Sequence, residues 1–250
     1  CLTEPHAGTD LGIISSKAIP QDDGSYRVTG TKIFITYGEH DMTENIVHLV
    51  LAKTPGSPEG TKGITMFLVP KYLPKDWKSG DLDGLSHDLM QEHNGVTCAG
   101  SEEKMGIHAS PTCVMNFDNS VGWRVGDLHT GMKLMFQMMN QERLATGIMG
   151  LGLAEIAYQN SLAYTRERKQ GKSNDNKNGE TDLIIKHADI RRSLMNMKSI
   201  IEGQRSLAFW LSQQVDVSLN HSNENVRKEA DDMVSLMTPV VKSFFSDMGM

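Results

Sequence analysis

The period of the apolar residues changes once along this chain, near Gly126, and that change limits what the chain can fold into more than any other feature. Before it, from residue 13 to about 119, apolar residues come in short alternating or β-branched runs. Examples are Tyr26-Arg27-Val28-Thr29, Lys32-Ile33-Phe34-Ile35-Thr36, Ile46-Val47-His48-Leu49-Val50-Leu51, Ile64-Thr65-Met66-Phe67-Leu68-Val69 and Thr112-Cys113-Val114-Met115-Asn116-Phe117. A period of about two places alternate side chains on one face of a strand. Turn formers separate the runs at Asp22-Asp23-Gly24, Gly30, Gly38, Pro55-Gly56-Ser57-Pro58 and Pro70. This half is predicted to be an antiparallel β-barrel or sandwich. The stretch 71–100 is charged and aperiodic, and is predicted to be a long surface excursion.

After Gly126 the period is about 3.6 residues, that of a helix. Met132, Met135, Met139, Leu144, Ile148 and Leu151 predict a helix running to about Arg168. Residues 171–182 are polar and Asn-rich, a connection. Ile190, Leu194, Met197, Ile201, Ala208, Leu211 and Val215 predict a second helix, roughly 45 Å long at 1.5 Å per residue. A helix of that length needs helical neighbours. Ala230, Val234 and Met237 begin a third apolar face, and Thr238-Pro239 reads as an N-cap and first-turn pair opening a further helix towards Met250. The expected organisation is a β domain over residues 1–125 and a helical bundle, incomplete at its end, over 126–250.

Charge and composition then exclude several classes. With 25 Lys+Arg against 31 Asp+Glu the net charge is −6, the wrong sign for a protein that neutralises a phosphate backbone, so no nucleic-acid partner is expected. A hydrophobic share of 38% with 22% charged residues is enough to bury a core. No apolar run reaches the roughly 18 residues of a transmembrane helix. Cys1, Cys98 and Cys113 fit neither a disulfide framework nor a CxxC site, which favours a reducing compartment. The chain opens on Cys1 rather than Met and stops within an apolar-periodic segment, so a piece of a longer protein is expected.

Some motifs fail on inspection. Asn174-x-Asn176-x-Asn178-Gly179 imitates a calcium loop but has Ile185 where a bidentate Glu belongs. Gly171-Lys172-Ser173 resembles the end of a phosphate loop, yet Arg166 stands where its first Gly is required. Gly147, Gly150 and Gly152 are out of order for a dinucleotide fingerprint and lie on an apolar helix, which points to close helix packing. The Met132/Met135/Met138/Met139 cluster reads as adaptable core. The nine His residues show no metal-ligand spacing, and no metal is implied.

What remains is the opening segment Cys1-Leu2-Thr3-Glu4-Pro5-His6-Ala7-Gly8-Thr9-Asp10, dense in small, hydroxyl and turn residues. By composition it is a loop able to offer backbone N–H groups and Thr hydroxyls to a polar ligand, or an ordinary surface turn. This segment resembles the C-x-T-E-P-x-A-G-S/T-D signature of the acyl-CoA dehydrogenase family. Further blocks agree in order. Gly30-Thr31-Lys32-Ile33-Phe34-Ile35-Thr36-Tyr37-Gly38 is similar to the family's G-x-K-x-W-I-T-N-G strand. The stretch from Lys104-Met105-Gly106 through Ser110-Pro111-Thr112 is similar to its K-x-G-x-x-x-S-x-T segment. Asn140-Gln141-Glu142-Arg143-Leu144 resembles its helix motif ending in Arg, and Glu167-Arg168-Lys169-Gln170-Gly171 its E-R-K-x-F-G. His6, the 71–100 excursion, His108-Ala109-Ser110-Pro111-Thr112 and Ile185-x-His187-x-Asp189-x-Arg191-Arg192 resemble a longer bacterial branch.

The resemblance implies a flavoprotein with a helical N-terminal domain absent here, a middle β domain and a C-terminal four-helix domain of which this chain holds the first part. FAD would meet Leu2, Thr3, Thr9, Phe34, Ile35, Thr36 and Arg168. Thr3 would face the ring, Thr36 would donate its hydroxyl to flavin N5, Phe34 replaces a family Trp that covers the ring, and Arg168 would reach the diphosphate of a neighbouring subunit's FAD. Thr9, Ser110, Asn140 and Arg143 align with positions that contact CoA, Asn140 standing where the family has Asp. Gln170-Gly171 lacks the family's intervening Phe.

The implied reaction desaturates an acyl-CoA thioester to the trans-2-enoyl-CoA: a carboxylate removes the α-proton while the β-hydrogen leaves as hydride, and an electron-transfer flavoprotein receives the electrons. In most of the family the base is a Glu on a late Y-E-G-T loop, which would lie beyond Met250. A minority branch has a Glu just before the helix Arg, where Glu142 stands, and both positions remain open. A homodimer or homotetramer in the bacterial cytoplasm, or in the mitochondrial matrix of a eukaryote, is the implied setting. An acyl-CoA oxidase using oxygen and a non-catalytic homologue binding acyl-CoA or protein are the alternative readings.

Overall fold

Among the described residues the first half folds as eight strands, the alternating runs supplying β2, β3, β4 and β8: β1 (Lys17–Pro20), β2 (Tyr26–Thr36), β3 (Val47–Lys53), β4 (Ile64–Pro70), β5 (Tyr72–Pro74), β6 (Met90–His93), β7 (Val96–Ser101) and β8 (Thr112–Val125). The computed structural model describes residues 1–74, 90–177 and 179–249, which divide into two units, Cys1–Gln137 and Met138–Met250. In the first unit β8 pairs with β2 along one edge and with β7 and then β4 along the other. The neighbours β2-β1-β3-β4-β8 therefore close into a barrel. Closure leaves few free edges. Pairing is antiparallel except for one parallel contact, Lys17 with Lys53.

The core follows from the alternation. Cys113, Met115 and Phe117 occupy one face of β8 and are buried with Val28, Val50, Phe67 and Val69. The ring of Tyr26 packs on Phe67 at 4.9 Å between centroids. The expected excursion over 71–100 is structured at both of its ends, in β5 and in β6 with β7, while its middle lies outside the described residues. The ordering agent is the buried Asn94 side chain. It donates to the carbonyls of Pro70 and Val121, both at 2.8 Å, and accepts from Val121 N–H at 2.7 Å, contacts that no sequence period encodes.

The helices are α1 (Gly131–Thr165), α2 (Ala188–Asn220) and α3 (Glu224–Gly249). Leu151, Ala154, Ile201, Leu211, Val241 and Phe245 form the buried core of the second unit. Gly150 does mark close packing: a Cβ there would lie 2.6 Å from the Phe245 carbonyl oxygen, whereas one on Gly147 would make only ordinary contacts, the nearest at 3.4 Å. Gly152 does not, since nothing lies within 4 Å of its Cβ position. Nor is the methionine cluster one core, because Met135 is buried and Met138 exposed.

Thr238-Pro239 does not open a new helix; Pro239 lies inside α3. Pro239 has no N–H to give and would ordinarily break the ladder. Burial of Thr238, Val241 and Phe245 holds this turn instead, and the Thr238 hydroxyl bonds back to the Val234 carbonyl at 2.7 Å. α1 stops at Thr165, short of Arg168, in a tight turn where the Arg166 N–H takes the Ala163 carbonyl.

Candidate functional site

The site begins with a fault in a strand. β2 loses register with β8 between Lys32 and Ile35, a β-bulge that leaves Ile33 and Phe34 out of the ladder. Phe34 sits at φ +59°, in the left-handed region that bulky residues avoid, and its side chain is 59% exposed. Strain of this kind persists only where the surroundings impose it. Here the Ile33 N–H is taken by the Thr3 carbonyl at 2.9 Å and the Tyr37 N–H by the Pro111 carbonyl at 2.9 Å. Gly38 follows, packed so closely on Met115 and Cys113 that a Cβ there would lie 2.8 Å from the Met115 sulfur. Thr36, paired with Thr112, is exposed, and its hydroxyl has no hydrogen-bond partner among the described residues.

The Leu2-Thr3 loop is fixed against this bulge by a buried charge cluster. The Lys32 ammonium donates to the Leu2 carbonyl at 3.0 Å and to Glu4 Oε1 at 2.8 Å. Both side chains are essentially inaccessible, Lys32 at 0% and Glu4 at 1%. Glu4 also accepts from the N–H and hydroxyl of Ser15, at 2.7 and 2.8 Å, and from those of Ser16, at 3.1 and 2.6 Å. Burial alone would raise the Glu4 pKa, but Lys32 and the serines outweigh it and hold the carboxyl at about 2. Burial lowers the Lys32 pKa, and Glu4 opposes the shift. The family motifs contain Glu4 and Lys32, and nothing in the sequence pattern gave either a role. The available signal was a Lys among the apolar residues of an alternating strand, which must be buried with a partner or face solvent.

The structure thus gathers Leu2, Thr3, Phe34, Ile35, Thr36 and Ser110 on adjoining segments of the first unit. Ser110 is half-buried in the turn before Pro111, its carbonyl held by the Lys104 ammonium at 2.6 Å. Thr9 lies on the same opening segment, exposed, just before Asp10, whose carboxylate accepts from Gly12 N–H at 2.9 Å and caps a short 3-10 turn.

The other candidates belong to the second unit. Asn140 and Glu142 are exposed on α1, and Arg143 is half-buried. The Glu142 carboxylate has no polar partner among the described residues; only its carbonyl is engaged, by the Thr146 hydroxyl at 2.8 Å. Arg168 is exposed with its backbone clamped at both sides, N–H to the Tyr164 carbonyl at 2.9 Å and carbonyl from the Ile184 N–H at 2.8 Å. The clamp is organised by Asp182, which accepts from Lys186 Nζ at 2.8 Å, from Ser173 N–H and hydroxyl at 3.0 and 2.7 Å, and from Asn176 Nδ2 at 2.8 Å. Those donors, Lys186 first, hold its carboxyl well below the usual carboxylate range. The Asn-rich connection is therefore a built loop that presents Arg168. Two clefts, of about 560 Å³ beside Glu39 and Lys71 and about 680 Å³ beside Asp182 and Arg191, lie on other segments than Thr3, Phe34 and Thr36.

A closed, almost wholly antiparallel barrel with a bulge at Phe34 followed by an exposed Thr hydroxyl, and long helices following it in the chain, defines a recognisable class. The family model for the acyl-CoA dehydrogenase middle domain matches residues 1–120, and that for the C-terminal domain matches residues 129–229. The chain belongs to the acyl-CoA dehydrogenase family. It is 44% identical over 246 residues to the 3-methylmercaptopropionyl-CoA dehydrogenase of Ruegeria pomeroyi, covering 98% of this chain and 40% of the relative. It is 41% identical over 257 residues to a butyryl-CoA dehydrogenase of Syntrophomonas wolfei, covering 99% and 40%. The chain thus spans about 40% of the length of these curated relatives. The crystal structure of Caenorhabditis elegans ACDH-11 in complex with C11-CoA shares the fold, with a TM-score of 0.77 at 22% identity over 98% of this chain and 37% of that one. The family is one of flavoprotein oxidoreductases of fatty acid metabolism.

Proposed function

We propose that the protein containing this chain is an FAD-dependent acyl-CoA dehydrogenase that desaturates an acyl-CoA thioester between Cα and Cβ. The observation that carries this reading is the exposed, unpartnered Thr36 hydroxyl just after a strained bulge, with Phe34 exposed two residues earlier and the Leu2-Thr3 loop bonded to Ile33. The residues suit the group: an exposed aromatic able to stack on a ring, free Thr hydroxyls, and in the second unit an Arg168 guanidinium without a partner among the described residues.

Bound FAD supplies the acceptor for the hydride leaving Cβ. Thr36, Thr3, Phe34 and the Leu2 and Ile35 backbone would hold the ring, the Thr36 hydroxyl serving as a donor to it, and the Arg168 guanidinium would hold a diphosphate. Ser110, Thr9, Asn140 and Arg143 hold CoA, so that the thioester is oriented before the α-proton is removed. The base is Glu142 or a Glu on a segment beyond Met250. Glu142 is exposed here, whereas a base working near neutral pH needs apolar surroundings that raise its pKa.

Electrons pass to an electron-transfer flavoprotein, and the working form is a homo-oligomer in a reducing compartment. Apolar side chains exposed on the helices, among them Phe209, Leu219 and Leu236, support an assembly that covers them. The test uses the complete polypeptide. Purified protein is expected to carry FAD that loses its visible absorption when an acyl-CoA is added without oxygen. Protein that binds no flavin, or flavin that no acyl-CoA reduces, would contradict the proposal.

A further inference from the structure

We infer that Glu4 and Lys32 are positioning residues whose buried ion pair holds the Leu2-Thr3 backbone and the Ile33-Phe34 bulge ahead of Thr36 in the arrangement a flavin requires. The inference rests on the flavin reading above. Its basis is where the ammonium sits: Lys32 Nζ bonds the Leu2 carbonyl at 3.0 Å and the Glu4 carboxylate at 2.8 Å, the residues on either side of Thr3. The Thr3 carbonyl in turn takes the N–H of Ile33, the residue after Lys32, at 2.9 Å. Three consecutive loop residues are thereby tied to two consecutive strand residues.

The tie falls where the sheet stops helping. β2 and β8 part immediately after Lys32 and rejoin at Ile35, so the ladder does not fix Ile33 and Phe34. The loop does. Glu4 is anchored in turn by Ser15 and Ser16, which precede β1, so the cluster also ties the loop to the barrel wall.

Stability alone is a poor reason for the pair. Replacing a buried ion pair by uncharged groups of similar volume is often neutral or stabilising, because both charges have lost their hydration. An apolar side chain at position 32 would fill the space yet leave the Leu2 carbonyl without its donor. The charged pair therefore contributes what packing does not: a direction for the backbone on both sides of Thr3.

The experiment compares the complete polypeptide with its Glu4→Gln/Lys32→Met double variant, which removes both charges and keeps the volumes. Thermal melting, equilibrium FAD affinity and the visible flavin spectrum are read for each. A cooperative melt, with FAD affinity lowered about 10-fold or more and a displaced flavin band, is the expected result. A variant that binds FAD with parental affinity and spectrum overturns the inference. Should the double variant fail to fold, Glu4→Gln alone carries the test, because it removes one charge of the pair and keeps the volume and the serine donors. About a threefold loss of FAD affinity is expected there, and parental affinity overturns the inference. A parent that binds no FAD refutes the flavin reading itself, an outcome separate from any difference between parent and variant.

Discussion

Single residues in the first unit hold charge states that a free chain would not. Glu4 titrates at about 2 against an ordinary 4.5, so its contribution to stability is complete above 4.5 and is lost as the pH falls through that window. His48 is buried with its Nε2 unpartnered, and burial brings its pKa from 6.5 to about 4. The fold keeps that ring neutral while the unfolded chain takes up the proton, so stability is also lost as the pH falls from 6.5 towards 4. Urea midpoints are expected to drop in two stages on acidification, the upper one absent from His48→Leu; a midpoint flat between 6.5 and 4 would contradict the His48 assignment. In the second unit Arg168→Ala is expected to lower FAD retention about 10-fold, since a bidentate guanidinium to diphosphate contact is lost. Retention equal to the parent after gel filtration would count against that role.

Elements were legible to the extent that their period was local. Alternation marked four of the strands, β2 (by two runs), β3, β4 and β8, and 3.6-residue spacing marked the three helices of the described residues, because each pattern records one face turned to a core. The bulge at Phe34 was not legible, since it is imposed by a contact from Thr3, some thirty residues earlier in the chain. β6 escaped because Asn94, not an apolar period, orders its surroundings. Pro239 misled for a related reason: local propensity favoured a helix start, and tertiary burial overrode it. The glycines of α1 offer a paired test of helix packing. Gly150→Ala puts a Cβ against Phe245 backbone that cannot move aside, and is expected to cost about 1–3 kcal/mol. Gly152→Ala meets open space and is expected to be neutral or to stabilise by up to about 1 kcal/mol. Equal effects in thermal melts would contradict this account of the α1 to α3 contact.

At the scale of the molecule, the motif blocks located the family but left the base open between Glu142 and a residue outside the chain. The physical reason is that a base is defined by its surroundings, and Glu142 is exposed among the described residues. The account depends most on Thr36 serving flavin N5. Its most direct test is anaerobic stopped-flow reduction of the complete enzyme by an acyl-CoA, parent against Thr36→Val. The loss of one hydrogen bond that strengthens in the transition state predicts flavin reduction slowed about 10-fold or more, with FAD content and melting temperature close to parental. Reduction at the parental rate in a fully flavin-loaded Thr36→Val enzyme would contradict it.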